Sequence, residues 1–344
     1  MGPNPLVQLT LARIRGITRE PEFIFWIFVF PLILAAALGI AFRSRGPDEI
    51  LIGVQQGEGA SWVQAALDAE EGIHAEILEA EEARQKLRTG KVALVVIPGE
   101  DDWTYWQDPT RPESRLARLS ADAALQRAAG REDVRPTSMR EMTEKGSRYI
   151  DFLIPGLLGM NLMSTGMWSV AFNIVDKRSK KMLKRLVATP MRRSQFLFAQ
   201  VLGRLAFLVA EVAALVGFAY FVFGVPVRGS IFTLMGLCFL GGMAFAGLGL
   251  MAAARPQTVE GASGIVNFVM LPMWICSGVF FSTARFPDAV QPFIQILPLT
   301  ALNDALRAVM LDGASIFAIG GDLLIVSIWG AVGFAVALTT FRWS

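Results

Sequence analysis

Six stretches of this chain, residues 23–42, 150–175, 196–223, 231–254, 264–281 and 316–341, are long and almost wholly apolar. About 20 such residues in a helix cross the hydrocarbon core of a bilayer. Within that core a lone apolar segment satisfies its own backbone only as a helix. The expected fold is therefore an all-α polytopic membrane protein with six transmembrane helices. The fifth span is the shortest. Composition agrees: 53% of the 344 residues are hydrophobic, above the roughly 45–50% of an average soluble domain. The first run is as long as a true span and no small-residue cleavage site follows it, so it reads as a retained helix rather than a signal peptide.

Between the second and third spans lies the run DKRSKKMLKRLVATPMRR, residues 176–193, with eight Lys and Arg against one acid, Asp176. Short loops of this kind stay on the cytoplasmic side. Counting spans from it places both termini in the cytoplasm. Arg43 and Arg45, just outside the first span, are too few to reverse that orientation. Met182, Leu183, Leu186 and Val187 share one face of a helix, with Lys180, Lys181, Lys184 and Arg185 off it. Pro190 ends the helix, because the residue before a proline is pushed out of helical geometry. A stiff amphipathic helix over 176–190 could lie on membrane lipids or receive a push from a soluble partner. Residues 1–22 hold a second amphipathic stretch, 6–20, expected along the cytoplasmic interface.

Residues 43–149 carry fifteen basic and twenty acidic residues, so the net charge of +2 hides a segregation. The basic excess sits in a membrane loop, not on a folded soluble face, which argues against nucleic-acid binding. This segment reads as a small α/β extracytoplasmic domain between the first and second spans. Strands are expected at 50–54, 73–78, 92–97 and 103–107, and helices at 60–71, 79–88 and 112–129. The rest, 150–344, is a five-helix transmembrane region. Its segment 283–315 returns to the outside and is expected to form short helices. There Leu299, Leu302, Leu306, Val309 and Met310 form an apolar stripe opposite Asp304 and Arg307.

Catalytic chemistry finds little support. The chain has no G-x-x-x-x-G-K-[ST], G-x-S-x-G or H-E-x-x-H. His74 stands without a second histidine or a cysteine nearby, so no metal site is expected. Cys238 and Cys276 fall inside spans and imply no disulfide framework. The chain is expected to be a non-enzyme, and energy for any active work must come from another subunit or an ion gradient. Glu211 is the sharpest residue, about 24 Å from the cytoplasmic end of the third span at about 1.5 Å per residue. A carboxylate at that depth costs on the order of 3 kcal/mol. It is either functional or a hydrogen-bonded packing residue. Arg204, seven residues earlier, is expected to lie too far along the helix to pair with it. Asn161, Asn173 and Asn267 are polar residues within spans, suited to interhelical hydrogen bonds or, with Glu211, to a translocation path. Small residues crowd the fourth span, from Gly236 to Gly249, a face suited to close helix packing.

Three segments resemble the membrane subunit of type-2 (type V exporter) ABC transporters. The first spans residues 149–204, with Ile154, Pro155 and Gly156 near the start of the second span and Leu186, Thr189 and Pro190 closing the charged segment. The second is LPLTALNDALR, residues 297–307. The third is the run RGITREPEFIFWIFVFPLIL into the first span. Many members carry an acidic-Arg-Gly-Thr element where this chain has Lys177, Arg178, Ser179, Lys180 and Lys181. The resemblance implies a permease of the bacterial inner membrane that exports an amphipathic or hydrophobic drug, lipid or glycan. It implies a second permease chain and a separate ATPase subunit holding ATP and Mg, with no cofactor on this chain itself. A periplasmic membrane-fusion protein is a further partner it admits. Asp176, Lys177, Arg178, Met182, Leu183, Leu186, Val187, Thr189 and Pro190 would then form the ATPase-coupling element, and Glu211, Asn161, Asn173 and Asn267 the translocation path. A proton-coupled secondary transporter using Glu211 is the rival reading, with a membrane-anchored sensor behind it.

Overall fold

The computed structural model describes residues 5–19, 21–41, 50–99, 102–132, 135, 148–182 and 193–342. The chain divides into two compact units, Met1–Arg43 with Thr143–Ser344, and Ser44–Met142.

Chain order begins with helix α1 (Pro5–Thr18) and continues through α2 (Pro21–Ile24), a π-helical turn (Phe25–Val29) and α3 (Phe30–Ala41). The smaller unit follows. Strands β1 (Ile50–Gln55), β2 (Ile73–Leu78), β3 (Leu94–Pro98) and β4 (Trp103–Gln107) form one sheet in the order β2-β1-β3-β4. β1 runs parallel to both β2 and β3, and β4 is antiparallel to β3. Helix α4 (Ala60–Asp68) connects β1 to β2, and α5 (Ala80–Thr89) connects β2 to β3. Parallel neighbours need such crossovers. Ile52, Val54, Leu94 and Val96 point to one face, where Val63 and Leu67 of α4 meet Ala117, Ala121 and Leu125 of α6 (Pro112–Ala128). The opposite face packs Val95 and Leu78 on Ala83 of α5.

The larger unit continues with α7 (Tyr149–Ser179), α8 (Arg193–Phe218, extended by a π-helical turn at Ala219–Phe223), α9 (Ile231–Ala252) and α10 (Val259–Cys276). It ends with α11 (Gln291–Gln295), α12 (Pro298–Met310) and α13 (Gly320–Thr340). α9 packs closely on α7 and α13, and α1 lies against α8. Glycines set the spacing: a Cβ on Gly249 would fall 2.8 Å from the Met167 carbonyl oxygen, and one on Gly333 would fall 2.9 Å from the Gly247 backbone. Small residues allow helices this close approach.

Among the described residues four helices are long and apolar enough to cross a membrane: Gln195–Phe223, Ile231–Ala252, Val259–Cys276 and Gly320–Thr340. Phe25–Ala41 is a shorter apolar helix. α7 has 31 residues, about 46 Å at 1.5 Å each, but it carries Asp151, Asn161, Thr165, Ser169 and Asn173, which lower its apolar share. α12 packs over the bundle, with Leu299, Leu302, Leu306, Val309 and Met310 fully buried. Asp304 stays on its exposed side, but Arg307 turns inward, contrary to the expected division into two faces.

Candidate functional site

The polar residues of α7 recur every four positions: Asn161, Thr165, Ser169 and Asn173. That interval keeps them on one helix face. The first three are buried. From α8, Gln200, Arg204 and Glu211 are equally buried. The Thr165 hydroxyl donates to the Asn161 carbonyl oxygen at 2.7 Å and lies 3.1 Å from Glu211 Oε1. Arg204 Nη2 donates to both Thr165 Oγ1 and Glu211 Oε2, the latter an ion pair of 2.5 Å.

That ion pair corrects the expectation that Arg204 could not reach Glu211. Seven residues are about 10.5 Å along the axis but almost two full turns, so both side chains leave the same face. The Glu211 side chain leans back toward the helix N-terminus, as helical side chains do, and the long arginine closes the remaining distance. Arg204 Nε and Nη1, Gln200 Oε1 and Asn173 Oδ1 are buried with no hydrogen-bond partner among the described residues. Asn161 also reaches across to the Ile27 carbonyl oxygen at 3.4 Å.

A second cluster joins two segments that stood apart in the sequence. Gly156 of the Ile-Pro-Gly element lies under the chain that follows α10; a Cβ there would fall 2.6 Å from the Val279 carbonyl oxygen. One turn on, a Cβ at Gly159 would meet Asn303 Oδ1 at 2.0 Å. Asn303 Nδ2 donates to the Ser277 carbonyl oxygen at 2.8 Å. Arg307 stacks on the Phe152 ring at 3.9 Å and donates to the Gly278 and Phe152 carbonyl oxygens. The Tyr149 hydroxyl donates to the Phe280 carbonyl oxygen at 2.6 Å. The start of α7, the chain beyond α10 and α12 are thus tied together by hydrogen bonds from Tyr149, Asn303 and Arg307 to the Phe280, Ser277 and Gly278 carbonyl oxygens, which lie past the end of α10.

At the other end of α7, Asp176 pairs with Lys180 on the exposed side at 2.8 Å. Lys177 lies over the Phe196 ring at 5.7 Å. Arg178 is buried and bonded to carbonyl oxygens beyond the ends of α9 and α13. Met182 is exposed. α7 ends at Ser179, and two residues on Lys181 holds φ 56°, the left-handed backbone that favours glycine. Leu183, Leu186, Val187, Thr189 and Pro190 lie outside the described residues.

The structure therefore brings Asn161 and Glu211 into one cluster, buries the Asn173 carbonyl oxygen Oδ1 nearer the other end of α7, and leaves Asn267 exposed on α10. Around Asn267, Gly264, Ile265, Phe268, Leu271 and Ile275 are exposed as well, forming a continuous outward stripe. Sequence reasoning missed Thr165, Gln200, Asn303 and the inward turn of Arg307. The four-residue polar period of α7 was the signal for the first of these.

The family described as "ABC-2 family transporter protein" matches residues 21–339. The chain belongs to this family. It is 29% identical over 220 residues to ABC transporter G family member 20 of Dictyostelium discoideum, covering 62% of this chain and 30% of that protein. It is 24% identical over 210 residues to nodulation protein J of Bradyrhizobium diazoefficiens, covering 58% of this chain and 75% of the relative. The inner membrane transport permease YadH of Escherichia coli K12 is 25% identical over 200 residues, again 58% and 75%. The ABC-2 chain thus spans less than a third of the length of its Dictyostelium relative.

Proposed function

We propose that this ABC-2 chain is the membrane-spanning permease subunit of an ATP-driven exporter in the bacterial inner membrane. Two permease chains pair, and a separate ATPase subunit, holding ATP and Mg, docks on the cytoplasmic side. The cargo is an amphipathic or hydrophobic molecule of the drug, lipid or glycan class, moved out of the cytoplasm or the inner leaflet. In this reading the chain has six spans. Pro21–Ala41 supplies the first as a run of helix through its π-helical turn, and α7 supplies the second, its polar face turned into the bundle.

The observation that carries the reading is α7 itself. It runs without a break from the Tyr149, Gly156 and Arg307 cluster to the basic segment at 176–190. A rigid helix of that length passes a push at one end to the other. The exposed stripe of α10 supports the pairing of two permease chains. Asn267 is exposed on α10; a polar side chain turned to lipid is costly, and a second copy or a polar path would relieve it.

Two measurements test the proposal. The purified chain should bind an ATPase subunit encoded beside it and stimulate its ATP hydrolysis; no association and no stimulation would overturn the reading. Leu183→Asp together with Leu186→Asp should leave insertion intact and uncouple ATP hydrolysis from export. Unchanged export would return residues 176–193 to a topological signal alone.

A further inference from the structure

We propose that Arg178 is the positioning residue that ties the coupling segment to α9, α10 and α13, and that it acts without touching the ATPase. The proposal rests on the coupling reading above.

Arg178 occupies the last turn of α7 and is only 6% exposed. A guanidinium has five N–H donors, and every one is used. Nη1 donates to the carbonyl oxygens of Ala253, at 2.8 Å, and Pro256. Nη2 donates to Ala254 at 3.2 Å and Arg342 at 2.8 Å, and Nε donates to Arg342 at 3.1 Å. The Phe341 ring lies 4.9 Å from the guanidinium carbon. The Arg342 N–H itself donates to the Ala254 carbonyl oxygen at 3.0 Å. Arg178 therefore bridges two chain segments that already touch.

The chemistry of this seat is specific. Among the described residues no carboxylate bonds Arg178; its charge is met by carbonyl oxygens where α9 and α13 end, the negative poles of those helices. Lysine, with three donors on a single atom, cannot serve four carbonyls arranged around a plane. The gripped segment 253–256 is the turn between α9 and α10, and α10 carries the exposed stripe with Asn267. Three residues beyond Arg178 the chain turns at Lys181 into the segment 183–190. Displacement of that segment moves the tip of α7. Through Arg178 it draws the α9–α10 turn and the end of α13 along with it. An ATPase contact would need an exposed side chain, and among the described residues from Arg178 onward in this segment those are Ser179, Lys180, Lys181 and Met182.

The experiment uses the full permease reconstituted with its partner ATPase and reads export per ATP hydrolysed. Arg178→Gln and Arg178→Lys should keep ATPase association and stimulation while export per ATP falls about tenfold or more, the ordinary scale of coupling between sites. Arg178→Cys with Pro256→Cys should show the same loss, and a short bis-maleimide cross-link between them should restore the ratio. A protein weakened only in packing would not regain its ratio from a tether. Unchanged export per ATP in both single variants would overturn the proposal. So would loss of ATPase association, which would make Arg178 a contact residue. If Arg178→Gln fails to insert, the lysine variant and the cross-linked pair decide. Failure of the wild-type chain to bind or stimulate any ATPase would instead sink the functional reading beneath it.

Discussion

The Arg204–Glu211 pair yields the sharpest prediction, because its two partners fail in different ways. Both side chains are at most 1% exposed and meet at 2.5 Å. At an effective dielectric constant of about 20, that separation is worth about 7 kcal/mol of attraction. Taking the two charges out of water costs several kcal/mol each, so the intact pair contributes little net stability. Removing one partner costs about 3–5 kcal/mol, because the other charge is left buried. A stranded carboxylate can neutralise itself by taking up a proton, whereas a guanidinium cannot shed one. Glu211→Gln should therefore be the costlier change, at about 3–5 kcal/mol, since Arg204 Nε and Nη1 already lack partners among the described residues. Arg204→Met should cost clearly less. The double variant Arg204→Met with Glu211→Leu should return to within about 1 kcal/mol of the wild type, as replaced buried pairs often do. Thermal unfolding in detergent gives the stability order, with export measured on the same samples. If Glu211→Gln unfolds at the wild-type temperature yet abolishes a transport that follows a pH gradient without ATP, the pairing argument is wrong. Glu211 would then be a proton carrier.

Three further outcomes follow from packing. Gly333→Ala should lower stability by about 1–3 kcal/mol, the usual penalty for overpacking, because the added methyl meets the α9 backbone; a melting curve at the wild-type temperature would contradict this. Gly264→Leu has open space around its Cβ and should leave the monomer's unfolding unchanged while weakening self-association on a sizing column; equal dimer content would count against α10 as the pairing face. Leu125→Ala, deep in the smaller unit's core, should cost about 2–5 kcal/mol and speed amide exchange in β1 and β3; protected strands would show that the core lies elsewhere.

How much of this was legible in the sequence depended on whether the signal was local. Apolar runs mark α7, α8, α9, α10 and α13, and α7 and α8 each carry buried polar residues within their runs. α7 is the instructive case. Thr165 meets Arg204 and Glu211 of α8 and Asn161 meets the Ile27 carbonyl oxygen, so part of the stripe that lowers its apolar share makes buried contacts between helices. The strands of the smaller unit show up as short apolar runs, but the order β2-β1-β3-β4 does not, since pairing is a choice among distant partners.

The contacts at the candidate site were hidden for the same reason. Gly156 and Arg307 each stood in a recognisable segment, yet nothing within either segment says that one packs beside the other. Their meeting depends on glycine's missing side chain, which leaves room for a carbonyl 2.6 Å from where a Cβ would be. Arg178 was misleading in another way. Eight cations in eighteen residues read as one solvated group, and composition treats them alike. Burial separates them: Lys180 and Lys181 stay in solvent while Arg178 spends all five donors inside. A charge run thus conceals its buried member until helix ends supply the carbonyls that a buried cation requires. The same logic makes Lys181 intelligible. Two residues past the end of α7 the backbone turns left-handed at φ 56°, a conformation that costs a non-glycine residue roughly 1–2 kcal/mol, three residues after the helix has been anchored.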